Sequence, residues 1–220
     1  MAQSKKILLV DDHPISRHGV AQLIAMEEGL KICAEAGSSA AGLEAVRQCD
    51  CDLAIVDITL PDKSGLELTK DIAAMYPDTL VLGLSMHDET LYAERMLRAG
   101  ARGYIMKEAA PENLIKAVRM VLDGGIYLSA EMSSRLLGML SGTSSENSAK
   151  SPLERLTDRE IEVFDLIGNG KGSRAIAQKL SISIRTVDAH RANIKEKLAI
   201  KDGNELVRYA VRWVEVGREA

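Results

Sequence analysis

Apolar positions along the first half of the chain fall into short runs separated by amphipathic stretches. Lys5 to Val10, Leu30 to Glu35, Leu53 to Val56, Thr79 to Leu84 and Arg102 to Ile105 carry the apolar content and length of strands. The gaps repeat on the helical period, predicting helices over Pro14 to Met26, Ser39 to Cys49, Gly65 to Met75, Asp88 to Ala99 and Pro111 to Leu122. Five strand-helix pairs result. Uninterrupted apolar strands such as Ile7-Leu8-Leu9-Val10 suit burial on both faces. A doubly wound parallel sheet flanked by helices provides that burial.

The pattern changes after Gly124-Gly125. A short helical stretch, Ala130 to Leu140, runs into twelve residues, 141 to 152, of which five are Ser and none is apolar and larger than Ala apart from Pro152. Such a segment cannot offset the entropy of ordering and reads as a flexible linker. Beyond it the sequence predicts four helices. Thr157 and Glu160 form a capping box, with Leu156 and Ile161 placed as its hydrophobic staple and Gly170 able to close the helix. Ser173 is placed to cap the second helix, and Ser181-Ile182-Ser183 turns the chain into a third beginning near Ile184. Asp202 and Glu205 open the last, whose Leu206, Tyr209, Ala210 and Trp213 share a face. The expected division is 1–124, a link over 125–152, and an all-α domain over 153–220.

Charge sharpens this division. The whole chain carries a net charge of −4, but residues 152–220 hold 13 Lys and Arg against 11 Asp and Glu, while the preceding residues hold 15 against 21. Between Lys171 and Lys201 there are 8 basic residues against 2 acidic ones, a footprint suited to a phosphate backbone. No apolar run approaches membrane-spanning length, and the N-terminal run is too short for a secretion signal. With three cysteines, an odd number, reduced thiols and a cytoplasmic location without membrane partners are expected. Cys49 and Cys51 have no further Cys or His at metal-binding spacing, and the four histidines are scattered.

The acidic residues of the first half are placed for chemistry. Asp11 and Asp12 follow the first strand and Asp57 ends the third. With strand order 2-1-3-4-5 the first and third strands are neighbours, so the three carboxylates meet beyond the carboxyl ends of the sheet, where ligands gather in such folds. Each taken singly is accounted for as a strand-end or capping residue. Together, their repulsion calls for a cation, and Mg²⁺ fits. Ser85 and Lys107, after strands four and five, bring a hydroxyl and an ammonium to the same edge, both suited to a phosphoryl group on Asp57.

These residues carry a resemblance. Leu9-Val10-Asp11-Asp12-His13, Ile55 through Gly65, Leu84-Ser85 and Gly103-Tyr104-Ile105-Met106-Lys107 resemble the flavodoxin-like receiver domain of two-component systems over residues 5 to about 123. Leu156 through Val163, Ile176 through Ser183 and Thr186 through Ile194 resemble the LuxR-type helix-turn-helix domain, so the whole is similar to the NarL/FixJ response regulators. The resemblance implies phosphoryl transfer from a sensor histidine kinase to Asp57, with Asp11, Asp12, Asp57 and the carbonyl of Thr59 holding Mg²⁺. It further implies that Lys107 and Ser85 bind the phosphoryl oxygens and that Tyr104 repacks. Glu108 stands where receivers often place Pro, which bears on the peptide after Lys107.

On the third helix of the second half, Val187, His190, Ile194 and Leu198 share one face, which makes His190 a packed residue bonded within its own domain. The other face presents Arg185, Thr186, Asp188, Ala189, Arg191, Ala192 and Lys195, the surface expected to meet double-stranded DNA. Arg191, Lys195 and Lys179 are assigned to phosphates; residues 185, 188, 189 and 192 are placed for bases, where Asp188 could accept from cytosine N4. Leu206, Val207 and Ala210 of the last helix are candidates for pairing two DNA-binding domains on paired half-sites after phosphorylation. RNA polymerase is a further candidate partner. An enzyme on the same fold is disfavoured because Asp-Asp-His-Pro replaces a Gly-rich phosphate turn and no substrate domain remains. A protein-binding module without phosphorylation is disfavoured by Asp57, Ser85 and Lys107 occurring together. The protein is therefore expected to catalyse only its own Mg-dependent phosphorylation and dephosphorylation.

Overall fold

The computed structural model describes residues 4–86, 89–140 and 152–219, which divide into two compact units between Leu140 and Ser141. The expected Ser-rich linker falls, Pro152 apart, outside the described residues, as does the predicted helix start at Asp88.

In the first unit the strands are β1 (Lys5–Val10), β2 (Leu30–Ala36), β3 (Leu53–Asp57), β4 (Leu80–Ser85) and β5 (Gly103–Met106). They alternate with α1 (Pro14–Ala25), α2 (Ser39–Cys49), α3 (Gly65–Met75), α4 (Glu89–Arg98) and α5 (Pro111–Leu122). All pairings are parallel, in the order β2-β1-β3-β4-β5. The doubly wound architecture expected from the apolar runs is present.

Alternation along the strands sends Ile7, Leu9, Leu53, Ile55, Leu82, Leu84 and Ile105 to one face, where they pack with Val20 and Ile24 of α1 and Leu114, Val118 and Val121 of α5. On the other face Val10 meets α2, where a side chain on Gly42 would touch it at 3.0 Å. Tyr104, fully buried, and Met96 of α4 close over Gly83. Ser38 accepts from the Ala41 amide at the start of α2, and Asp62, from the loop after β3, accepts from the Ser39 and Ala40 amides at 2.9 Å each. That loop is thereby tied to the helix beside it.

After α5 the chain returns to the sheet. Tyr127 donates to the Arg102 carbonyl at 3.0 Å and accepts from the Tyr104 amide at 3.0 Å, a one-residue parallel bridge along the free edge of β5. The Ser129 amide then donates to the Glu89 carboxylate of α4 at 2.9 Å, and α6 (Ala130–Leu140) packs on α4 through the buried Met132. The predicted helix over 130–140 thus belongs with the first compact unit.

The second unit holds a 3₁₀ turn (Pro152–Arg155) and four helices: α7 (Asp158–Gly168), α8 (Ser173–Lys179), α9 (Ile184–Lys197) and α10 (Gly203–Glu219). Both halves of the Thr157–Glu160 capping box form. Glu160, 3% exposed, accepts from the Thr157 amide at 2.8 Å and from Lys197 of α9 at 2.6 Å, so one carboxylate caps α7 and ties it to α9. Its proton affinity follows: burial alone would raise it, but Lys197 and the Thr157 groups hold the carboxyl below its ordinary range. The core joins Phe164 to Tyr209 and Trp213, with ring centroids 5.8 and 5.6 Å apart. Gly168 lets α7 and α10 touch, since a Cβ there would meet the Ala210 carbonyl oxygen at 2.5 Å.

Two local expectations are corrected. Ser173 is not the cap of α8; Gly172 holds that position without a side chain, and the Ser173 hydroxyl donates to Asp188 of α9 at 2.9 Å. His190 is half-buried, but its side chain makes no hydrogen bond among the described residues.

Candidate functional site: a carboxylate cluster and a helix-turn-helix

Strand register brings the acidic site together. Val10 pairs with Val56, so the next residues, Asp11 and Asp57, emerge side by side at the carboxyl end of the sheet. Ser85 pairs with Met106, and the Lys107 amide donates to the Ser85 carbonyl at 2.8 Å, delivering Lys107 to the same edge. The chain leaves Asp57 through a tight loop. The Thr59 amide donates to Asp57 Oδ1 at 3.1 Å, and the Gly65 amide returns to the Ile58 carbonyl at 2.8 Å. A Cβ at Gly65 would stand 1.9 Å from the Asp57 carbonyl oxygen, so only glycine permits this loop.

Lys107 Nζ lies 2.7 Å from both Asp11 Oδ2 and Asp57 Oδ2. Asp11, fully buried, also accepts from the His13 amide at 2.8 Å and the Ser16 hydroxyl at 2.7 Å. Burial would raise the Asp11 carboxyl, but Lys107, Ser16 and the His13 amide outweigh it and the net shift is downward. Asp57, 2% exposed, fares differently. Burial first, and Asp11 in addition, push its carboxyl up to about 6, against the pull of Lys107 and the Thr59 amide. Burial would weaken the Lys107 ammonium, but Asp57 and Asp11 hold its proton affinity above the ordinary value. The group is a nearly dry arrangement of carboxylates around one ammonium.

Asp12 completes the cluster. One ligand atom each from Asp11, Asp12, His13 and Asp57 lie within 4.8 Å of one another. Asp12 Oδ1 is buried and has no hydrogen-bond partner. A buried acceptor left unsatisfied among like charges fits a divalent cation with oxygen ligands. Thr59 sits beside Asp57 on the same loop, and Ser85 and Tyr104 are fully buried at and behind this edge. The Lys107–Glu108 peptide is trans, as are all peptides among the described residues.

In the second unit, α8 closes through Ser181 in the left-handed region (φ +53°), and the Ser183 hydroxyl accepts from the Thr186 amide at 3.0 Å to start α9. Arg159 of α7 donates to the Leu180 carbonyl at 2.7 Å and braces the turn. Val187 and Ile194 are fully buried, and His190 and Leu198 half so, which fixes the inner face of α9. Arg185, Thr186, Asp188, Ala189 and Ala192 are exposed, while Arg191, Lys195 and Lys179 are half-exposed. Two of these positions are engaged locally: the Thr186 and Ser183 hydroxyls lie 2.8 Å apart within the cap, and Asp188 accepts from Ser173.

The candidates for pairing on α10 need revision. Leu206 and Ala210 have no exposed surface, because they pack inward, Ala210 where α10 crosses Gly168. Neither can meet a second molecule in this conformation. Val207, 37% exposed, is the one of the three that faces outward. Its neighbours on the outer side could not be told from the inner stripe by spacing alone. Sequence reasoning also missed His13 as a neighbour of the carboxylates. Its only signal was its place beside Asp12.

A doubly wound domain with an acid-lysine cluster at its switch point, followed by a helix-turn-helix unit, defines a phospho-acceptor switch coupled to a DNA-binding module. Residues 7–119 match the response regulator receiver domain, and residues 154–210 match the bacterial regulatory proteins of the luxR family. The oxygen regulatory protein NreC of Staphylococcus carnosus is 36% identical over 210 residues, covering 94% of this chain and 97% of that protein. Among solved structures, RcsB of Salmonella enterica serovar Typhimurium, bound to promoter rprA in the presence of phosphomimetic BeF3-, is 25% identical. It superimposes with a TM-score of 0.71 over 95% of this chain and 99% of that one. A LuxR-family two-component response regulator from Aurantimonas is 30% identical, with a TM-score of 0.59 over 63% of this chain and 99% of that one. The chain belongs to the response regulators of two-component systems, with a LuxR-type DNA-binding domain as its output.

Proposed function

We propose that Asp57 accepts a phosphoryl group from a sensor histidine kinase and that phosphorylation controls sequence-specific binding of α9 to promoter DNA. The observation that carries this reading is Lys107 Nζ at 2.7 Å from both Asp57 and Asp11, at the carboxyl end of the sheet. Asp11, Asp12, Asp57 and the Thr59 carbonyl would hold Mg²⁺, which supplies charge neutralisation of the phosphoryl oxygens. A carboxylate oxygen of Asp57 attacks phosphorus as the bond to the kinase histidine nitrogen breaks. Lys107 then exchanges a carboxylate partner for a phosphoryl oxygen, and the Ser85 hydroxyl binds another. Pulling Ser85 inward moves the end of β4, against which Tyr104 and Met96 pack. Hydrolysis of the acyl phosphate at the same site returns the protein to its resting state, so its only catalysis is its own phosphorylation and dephosphorylation.

Residues 1–124 act as the receiver, with the helix over 130–140 packed on it, and 153–220 as the output, in a protein acting in the cytoplasm. Support for the DNA reading comes from RcsB, whose complexes include promoter DNA, and from the exposed face of α9. Arg191, Lys195 and Lys179 take phosphates; Arg185, Ala189 and Ala192 reach bases, with Thr186 and Asp188 bearing on the same edge through their local bonds. Phosphorylation favours a homodimer on paired half-sites, with Val207 as the surface candidate on α10 and RNA polymerase as a further candidate partner. Labelling with acetyl phosphate and Mg²⁺ tests the acceptor: Asp57→Asn should abolish it, and equal labelling of both proteins refutes the assignment. For DNA, Arg191→Ala and Lys195→Ala should weaken binding to all sequences and flatten its salt dependence, whereas Ala192→Lys should change sequence preference.

A further inference from the structure

We propose that His13 is a fifth protein ligand of this site, beside Asp11, Asp12, Asp57 and the Thr59 carbonyl, adding an imidazole nitrogen that makes the site favour manganese-class divalent ions over Mg²⁺. The inference rests on reading the cluster as a cation site. His13 is the N-cap residue of α1, a position whose side chain ordinarily accepts from the first helical amides, yet it makes no capping bond. Its own amide is fixed by Asp11 Oδ1 at 2.8 Å and its carbonyl by the Arg17 amide at 3.0 Å, so the backbone holds the Cα–Cβ bond beside the cluster.

The ring points inward although 64% of the side chain is exposed. Nδ1 lies 2.8 Å from Asp12 Oδ1, 3.5 Å from Asp11 Oδ1 and 3.9 Å from Asp57 Oδ2. The shortest of these is an ion-pair separation when the ring is protonated, but it has no aligned hydrogen bond, since Asp12 Oδ1 has no partner of that kind. With the ring neutral, a nitrogen lone pair this close to a buried carboxylate oxygen can be directed at the same cation as that oxygen. Donors around an octahedral ion at bond lengths of about 2.0–2.2 Å stand roughly 2.8–3.1 Å apart along an edge and roughly 4.0–4.4 Å apart across the centre. The separation to Asp12 matches an edge, and the separation to Asp57 approaches the cross-centre value. Nitrogen donors raise affinity for Mn²⁺ and the later first-row ions relative to Mg²⁺, which prefers oxygen and keeps its waters.

The test uses the full chain and Mn²⁺ as probe. With histidine labelled by ¹⁵N in the ring, electron spin-echo spectra of the bound Mn²⁺ should show a ¹⁵N coupling that His13→Ala removes. Titration of both ions should show Mn²⁺ affinity falling about tenfold in His13→Ala while Mg²⁺ affinity changes less than about twofold. His13→Gln, which offers an oxygen in place of the nitrogen, should lose the coupling while retaining Mg²⁺ binding. Mn²⁺ bound without any histidine coupling in the wild-type protein, or an unchanged ratio of Mn²⁺ to Mg²⁺ affinity in His13→Ala, overturns the role of His13 and leaves the carboxylate site intact. If neither ion binds the wild-type protein at millimolar concentration, the cation reading falls and the ligand role with it.

Discussion

Asp57 and Glu160 are both almost completely buried, at 2% and 3% exposed, and both face a lysine, yet their carboxyl groups shift in opposite directions. Glu160 sits nearer the surface, facing a lysine that is one-third exposed, so its burial costs less and its partners offset it: Lys197 and the Thr157 amide and hydroxyl. Asp57 shares its lysine with Asp11 and receives one backbone amide, so burial and repulsion win and the group is pushed up to about 6. The difference separates two uses of a buried acid. One closes a helix and joins it to the next; the other is held in a costly ionised form that an incoming cation or phosphoryl group relieves.

The largest stability effect should fall on the satisfied carboxylate. Glu160→Ala removes the cap of α7 and leaves Lys197 without its partner, and should destabilise the output unit by about 2–4 kcal/mol. Trp213, the one tryptophan, reports that unit selectively in a urea titration. Glu160→Gln, which can still cap, should lose roughly half as much. A midpoint unmoved in both variants would reduce the Glu160 bonds to incidental contacts.

Asp57→Asn should do the reverse. In chelator, replacing the carboxylate by an amide of similar shape removes its desolvation and its repulsion from Asp11, and should stabilise the receiver by about 1–3 kcal/mol. Hydrogen exchange of the β1 and β3 amides reads this directly, and slower exchange is expected. Excess Mg²⁺ should narrow the gap, because the cation stabilises only the wild-type site.

Acid should separate the two units further. Asp57 has a folded value near 6, above its ordinary 3.8, so in chelator the folded receiver binds the proton first and gains stability from this group as pH falls from 7 toward 4. Glu160 is depressed below its ordinary 4.5, so its contribution is complete above that value and is lost as pH falls through the lower folded value. The difference in receiver stability between wild type and Asp57→Asn should therefore shrink between pH 7 and 5, while the Trp213 midpoint difference for Glu160→Gln stays constant. Parallel responses would erase the distinction between the two acids.

The smallest effect concerns a third carboxylate, Asp188, exposed and held by Ser173. Ser173→Ala should change stability by no more than about 0.5 kcal/mol. It frees the Asp188 carboxylate, so selection of DNA sequences should shift at one base position without loss of overall affinity.

Much of this was legible in the chain itself. Unbroken apolar strands at regular spacing required a sheet covered on both sides, and that topology alone sets Asp11 beside Asp57. Lys107 and Ser85 followed from lying just past their strands. The capping box of α7 was readable because its two residues act within one turn. What could not be read was contact between side chains distant in sequence. The Glu160–Lys197 pair, the Asp62 clamp on α2 and the Ser173–Asp188 bond depend on how finished elements meet. Leu206 and Ala210 misled because an apolar helix face has the same spacing whether it packs inward or outward. His13 was missed for another reason, since its place beside Asp12 carries no sign of where its ring points.

The return of the chain to the sheet at Tyr127 has a consequence for behaviour in a crowded cell. An open parallel sheet ends in two strands with unpaired amides and carbonyls, each able to recruit a strand from another molecule. β2 exposes Lys31 and Glu35, charges that discourage such pairing. β5 is short and apolar, and there Tyr127 occupies the amide of Tyr104 and the carbonyl of Arg102. Because Ser129 then anchors to α4, the cover is fastened at both sides of the edge. Loosening this one-residue bridge would expose an aggregation-prone strand, so the segment that leads out of the receiver also keeps receivers from stacking through their sheets.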